Sequence, residues 1–89
     1  MRIKVIYRKN LKMSDGKLAA QVAHAVKNIG ETPVDSDIIV LKVSDKKFTE
    51  LVELNSIGKY YYLQKDKGLT EVEEGTETAF AWIEQTFNK

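Results

Sequence analysis

Apolar and polar residues alternate from Arg2 to Arg8 (RIKVIYR), with Ile3, Val5 and Tyr7 on one face and basic residues on the other, the period of a strand. The period then lengthens. Leu18, Val22, Ala25 and Ile29 recur at helical spacing, and Lys17, Gln21 and His24 mark an opposing polar stripe. Asp15 is expected to N-cap this helix, which runs to about Asn28 and stops at Ile29-Gly30. Ala19, Ala20 and Ala23 should let it lie close against its neighbour. Residues 9–14 read as a basic loop and residues 31–36, with the only Pro, as a connection. Residues 38–43 (IIVLKV) form a near-continuous apolar run, as expected for a strand covered on both faces. Ser44 then caps a second helix, DKKFTELVEL, with Phe48, Leu51 and Val52 turned inward and Leu54 a further candidate. Residues 59–65 (KYYYLQK) predict a third strand, whose tyrosines suit core and cross-strand packing better than base stacking. A polar loop over residues 66–75 precedes a fourth strand at residues 77–83 (ETAFAWI).

The order βαβαββ implies a small three-layer α/β domain. Its mixed four-stranded sheet should have three parallel strands and an antiparallel last strand, with helices packed on it. Residues 1–89 are expected to form a single domain, with no repeat or linker. A chain of 89 residues sits near the lower end of what folds unaided, so every apolar element must pack well. It has no cysteine, which excludes disulfides and thiolate chemistry, and one histidine, which argues against a histidine-based metal site. Neither a metal nor a cofactor is expected. No apolar run approaches the roughly 20 residues of a membrane span, and a strand follows Met1 directly. A cytoplasmic location away from membranes is the expectation.

Charge is unevenly placed. Residues 1–30 carry a net +6 and residues 31–89 a net −5. A basic region around the first helix suits a polyanion, nucleic acid first, although solvated lysines on a strand face and loop also account for it. Lys17 is the most informative of these cations. A lysine in the first helical turn opposes the macrodipole by about a few tenths of a kcal/mol. Binding an anion or pairing with a carboxylate would explain it; an exposed lysine covering its neighbours would not need either.

A second constellation lies near the C-terminus: Asp66, Gly68 and Thr70, then Gly75, Thr76, Thr78 and Ala81. Alone, it is turn chemistry between two strands. Joined to Arg8, Asn10-Leu11, Met13, Gly16-Lys17, Ala19-Ala20-Gln21 and His24-Ala25, it resembles the archaeal and eukaryotic type of peptidyl-tRNA hydrolase. That family's first signature runs, in outline, D-L-x-M-x-x-G-K-x-A-A-Q-x-x-H-A after a strand ending in Arg. Its second runs D-A-G-x-T-Q-x-x-P-G-T-x-T. The resemblance covers nearly the whole chain. Asn10, Glu71 and Glu74 stand where the family has Asp, Gln and Pro, and the segments before residues 38–43 and before residues 59–65 are shorter.

The resemblance implies metal-independent hydrolysis of the ester joining a peptide, or an N-blocked amino acid, to tRNA. It implies Lys17, Asp66, Thr70 and Thr78 as catalytic residues. Asp66 would orient Lys17 or a water, Lys17 would meet negative charge, and the two threonines would place the water or the ester carbonyl. Arg8, Lys9, Lys12, Gln21 and His24 are the expected substrate-binding residues, with Arg2 and Lys4 further contacts to the tRNA backbone. A homodimer is a candidate assembly, as relatives often dimerise. The alternative is a shortened, non-catalytic relative that binds tRNA ends or a protein partner, favoured by Glu71 and Glu74.

Overall fold

The computed structural model describes residues 2–30, 36–58, 60–68 and 73–84. Six elements follow one another: β1 (Arg2–Arg8), α1 (Asp15–Lys27), β2 (Asp37–Val43), α2 (Asp45–Asn55), β3 (Tyr61–Lys65) and β4 (Glu77–Glu84). The sheet order is β2-β1-β4-β3. β1 and β2 pair in parallel, and β4 is antiparallel to both β1 and β3. The three remaining strands therefore share one direction, as the sequence implies.

Strand alternation divides the interior into two layers. Ile3 and Val5 of β1 and Ala79 and Ala81 of β4 turn to one face, where Ala25 and Ile29 of α1 cover them. Ile6, Phe80 and Trp82 turn to the other, against Phe48 of α2. Small residues of β4 thus face α1 and aromatic ones face α2. The Phe80 ring lies 5.9 Å from Tyr61 and 5.5 Å from Trp82, both tilted, within the range of favourable aromatic pairs. Replacing Phe48 with Ala would remove the chief plug of this layer, a loss of about 3–5 kcal/mol.

Several expectations need correction. Ser14, not Asp15, is the N-cap of α1; its Oγ accepts the Lys17 N–H at 3.3 Å, and Asp15 is the first helical residue. The serine hydroxyl reaches the third N–H from an extended backbone, while Asp15 remains free to complement the positive helix end. Ala19, Ala20 and Ala23 lie exposed, so close approach comes instead from Ala25 against Ala79 and Ala81. Leu54 is exposed at the far end of α2. In KYYYLQK the strand begins at Tyr61, Tyr60 and Tyr62 are exposed, and Lys59 lies outside the described residues.

The largest departure is β2. It is an edge strand, and Ile38, Val40 and Leu41 are exposed. α1 packs chiefly on β4, β3 and β1, and α2 on β1; only Val43, at the end of β2, packs against the layer under α2. Periodicity identifies a strand without amphipathic alternation, but which elements lie above it depends on how the helices settle on the sheet.

Candidate active site

The carboxyl ends of the parallel strands β1 and β3, the start of β4 and the N-terminus of α1 meet at one end of the sheet. Open α/β sheets gather ligands at such an end. There Lys17 Nζ lies 2.5 Å from Asp66 Oδ1. Both side chains are withdrawn from solvent, at 12% exposure for Lys17 and 2% for Asp66. The lysine that opposes its own helix dipole has its carboxylate.

Asp66 follows β3 and is held by its backbone as well as its side chain. Its N–H donates to the Thr76 carbonyl at 2.9 Å, and its carbonyl accepts the Gly75 N–H at 2.8 Å. Oδ2 accepts the Gly68 N–H at 2.7 Å, an Asx-turn that bends the chain back on itself. Gly68 has φ of +76°, and a Cβ there would stand 2.7 Å from Glu74 Cβ, so only glycine fits this turn. Oδ1 also accepts from Gln21 Nε2 at 2.9 Å. Hydrogen bonding from Lys17, with further donation from Gly68 and Gln21, holds the Asp66 carboxyl below the usual range, against the opposing push of burial.

Gln21 is buried, and both its amide nitrogen and its amide oxygen are bonded. Its Oε1 accepts the Thr78 hydroxyl at 2.6 Å, so Thr78, Gln21 and Asp66 form one directed chain. Thr78 has no exposed surface, and the Gln64 carbonyl lies 3.3 Å from its Oγ1. A β-bulge aims it. Gln64 pairs with Ala79 and Lys65 with Glu77, leaving Thr78 as an extra residue on β4. Strict alternation would point Thr78 to the α2 face with Phe80; the bulge turns it to α1. Nothing in GTETAF signals the bulge. Gln64, buried beside Thr78, is a member of this cluster that the sequence motifs do not mark.

The other expected residues scatter. Arg8 Nε donates to Asp45 Oδ1 at 2.9 Å and Nη1 to the Glu77 carbonyl at 3.0 Å, tying the end of β1 to the starts of α2 and β4. That bond raises the arginine and, with a bond from Asn10, lowers the Asp45 carboxyl. Lys9, Lys12 and His24 are exposed. Arg2 and Lys4 lie toward the opposite end of β1, about 20 and about 13 Å from Arg8 at strand rise, and both contact Glu84, at 2.8 and 3.6 Å. Thr70 and Glu71 lie outside the described residues. Among the described residues no helix is long and apolar enough to cross a membrane.

Several known proteins are similar to this chain over most of its length. The peptidyl-tRNA hydrolase of Methanopyrus kandleri is 42% identical to this chain over 91 aligned positions, covering 83% of this chain and 76% of the relative. That of Thermococcus sibiricus is 36% identical, covering 86% and 78%. That of Haloquadratum walsbyi is 37% identical, covering 91% and 83%. The family model described as peptidyl-tRNA hydrolase PTH2 matches residues 1–84, and the chain belongs to that family.

Proposed function

We propose that this chain hydrolyses the ester between a peptide, or an N-blocked amino acid, and the terminal ribose of tRNA, with no metal in the reaction. The observation that carries this reading is the withdrawn Lys17–Asp66 pair at the carboxyl end of the sheet. Ester hydrolysis needs a positioned water and a fixed positive partner for the charge that develops on the carbonyl oxygen. Lys17 is that partner, and Asp66 keeps it from swinging into solvent. A carboxyl held below its usual range is a weak base near neutral pH, so Asp66 serves as anchor and water orienter rather than proton acceptor. Oδ2 accepts one bond, from Gly68, and keeps capacity for a water.

Thr78 and Gln21 act one step back, since the Thr78 proton goes to Gln21 and the Gln21 amide to Asp66. Both are positioning residues for the carboxylate. Thr70, by the family motif, shares in positioning the water or the ester carbonyl. Exposed Lys9 and Lys12, in the loop that enters α1, are placed to hold backbone phosphates as sequence-independent contacts, with His24 further along the helix. Arg8 is committed to Asp45 and Glu77, and its part is to fix the frame.

Purified protein should release its blocked amino acid from N-acetyl-aminoacyl-tRNA, with kcat/KM falling as salt rises. No turnover, in an assay where an established peptidyl-tRNA hydrolase is active, would falsify the enzyme reading. Exposed Glu73 and Glu74, beside the Asp66 turn, give the non-catalytic alternative its support. Salt-sensitive RNA binding without turnover selects that alternative.

A further inference from the structure

The two flanks of α1 differ. One borders an apolar groove against β2, with Asp15 on its rim. The other carries Lys17, Gln21 and His24 and faces β3. Lys17, at the start of α1, meets Asp66, just past the end of β3, so helix and strand run in opposite senses. From Lys17 to His24 the helix rises about 10 Å, and from Asp66 back to Tyr62 the strand covers about 13 Å. His24 and Tyr62 therefore stand at nearly the same height, on the side of the ion pair that runs down the sheet. Core packing gives the same placement by another route. Tyr62 pairs with Ala81, and directly paired residues share a face. On that face Ala81 packs in one cluster with Ala25, the neighbour of His24. Gln64, between Asp66 and Tyr62 on the strand, is buried, so the row opens to solvent only at its far end.

That end carries rings. Tyr62 is 37% exposed on an edge strand, and His24 is exposed. Tyr61, by contrast, turns to the other face and packs on Phe80. Tyr62 has no aromatic partner among the described residues. We propose that Tyr62 is a stacking platform for the unpaired 3′ end of the tRNA, holding the terminal base while His24 bounds it from the helix. The inference rests on the hydrolase reading, which sets the ester at Lys17 and Asp66. The ribose that bears the ester also bears the terminal base, so that base lies within one nucleotide of the ion pair. A flat aromatic face at this range suits it, and because every base has a π-face the platform accepts the end by shape rather than by sequence. Phosphate contacts from Lys9 and Lys12 fix the backbone and leave the base free; Tyr62 supplies what they lack.

Fluorescence anisotropy of the full chain with a labelled tetranucleotide, ACCA, and with the same oligonucleotide lacking its 3′ base tests the platform. The wild type should bind ACCA about tenfold more tightly than the abasic form, the order of one stacked base. Tyr62→Leu, which keeps apolar bulk at an exposed position, should bind both forms at the weaker affinity with an unchanged circular dichroism spectrum. Tyr62→Phe, which keeps the ring, should retain the preference, and His24→Ala should narrow it. On N-acetyl-aminoacyl-tRNA, Tyr62→Leu should raise KM about tenfold with a smaller effect on kcat. Base-dependent binding by the wild type, lost in Tyr62→Leu, supports the platform even if no turnover is seen, an outcome that removes only the hydrolase reading. A wild type that binds neither oligonucleotide, or both alike, overturns the platform. So does a Tyr62→Leu variant that keeps the preference or the wild-type KM, and turnover by the wild type would then leave the hydrolase reading standing alone.

Discussion

The two strand-to-helix junctions of this protein are written in nearly the same letters. Ser14-Asp15-Gly16-Lys17 opens α1 and Ser44-Asp45-Lys46-Lys47 opens α2. Their caps are superposable in conformation, with φ and ψ of −64° and 162° at Ser14 and −67° and 162° at Ser44. Each serine Oγ accepts the lysine N–H three residues on, at 3.3 and 3.2 Å. Yet Lys17 is withdrawn against a buried carboxylate, whereas Lys47 is 57% exposed and 3.9 Å from Glu50 on its own helix. The aspartates diverge in the opposite sense: Asp45 binds Arg8, and Asp15 borders the α1–β2 groove. Local sequence makes the same cap twice; what stands opposite withdraws one lysine against a carboxylate and leaves the other to solvent.

Activity should separate the two lysines most sharply. Lys17→Met, which keeps the stem and removes the charge, is expected to cut kcat about 10²–10³-fold on N-acetyl-aminoacyl-tRNA, as for loss of an oxyanion partner. Lys47→Met should leave kcat within about twofold, as expected of an exposed pair. Equal losses would show that Lys17 acts only as one more surface cation.

Asp66→Asn sharpens the contrast through pH. A carboxyl whose folded value is depressed contributes stability that is fully present above its unfolded value, near about 3.9, and is lost as pH falls through the lower folded value. Urea midpoints should therefore differ most between wild type and Asp66→Asn at neutral pH, and converge below about pH 4. A constant gap down to acid pH would contradict the ionised pair.

Thr78→Val keeps the shape and leaves Gln21 Oε1 buried without its donor, a loss of about 1–3 kcal/mol by denaturant unfolding. Because the hydroxyl acts through Gln21 on Asp66, kcat should fall with KM little changed, and Thr78→Ser should recover both. Failure of serine to rescue would mean that the methyl packing, not the hydroxyl, matters. The smallest effects are at the caps. Ser14→Ala and Ser44→Ala should each cost about 1 kcal/mol, and by similar amounts, as their shared geometry requires. A much larger cost at Ser14 would show that the cap also orders Lys17.

The sequence carried a good part of this. Strand and helix periods, with the apolar run at residues 38–43, gave all six elements in order, and the two signatures gave the family and singled out Lys17 and Asp66. Side-chain direction is where legibility ends. Lys17, Gln21 and His24 share a polar stripe on paper, but Gln21 is buried under Asp66 while His24 faces solvent. Arg8 sits at a position expected to bind substrate and is spent on Asp45 and the Glu77 carbonyl.

Hydrophobic periodicity, capping residues and turn glycines act within a few residues, so the chain by itself determined its strands, its helices and the sharp Asp66–Gly68 turn. The tertiary structure alone decided the rest. A strand-pairing offset between β3 and β4 turned Thr78 toward α1, helix placement chiefly over β1, β4 and β3 left Ile38, Val40 and Leu41 of β2 uncovered, and the close of the sheet put Asp66 against Lys17. Each of these depends on contacts between segments far apart in sequence. No local preference encodes them, because the free energy that selects them comes from how whole layers pack.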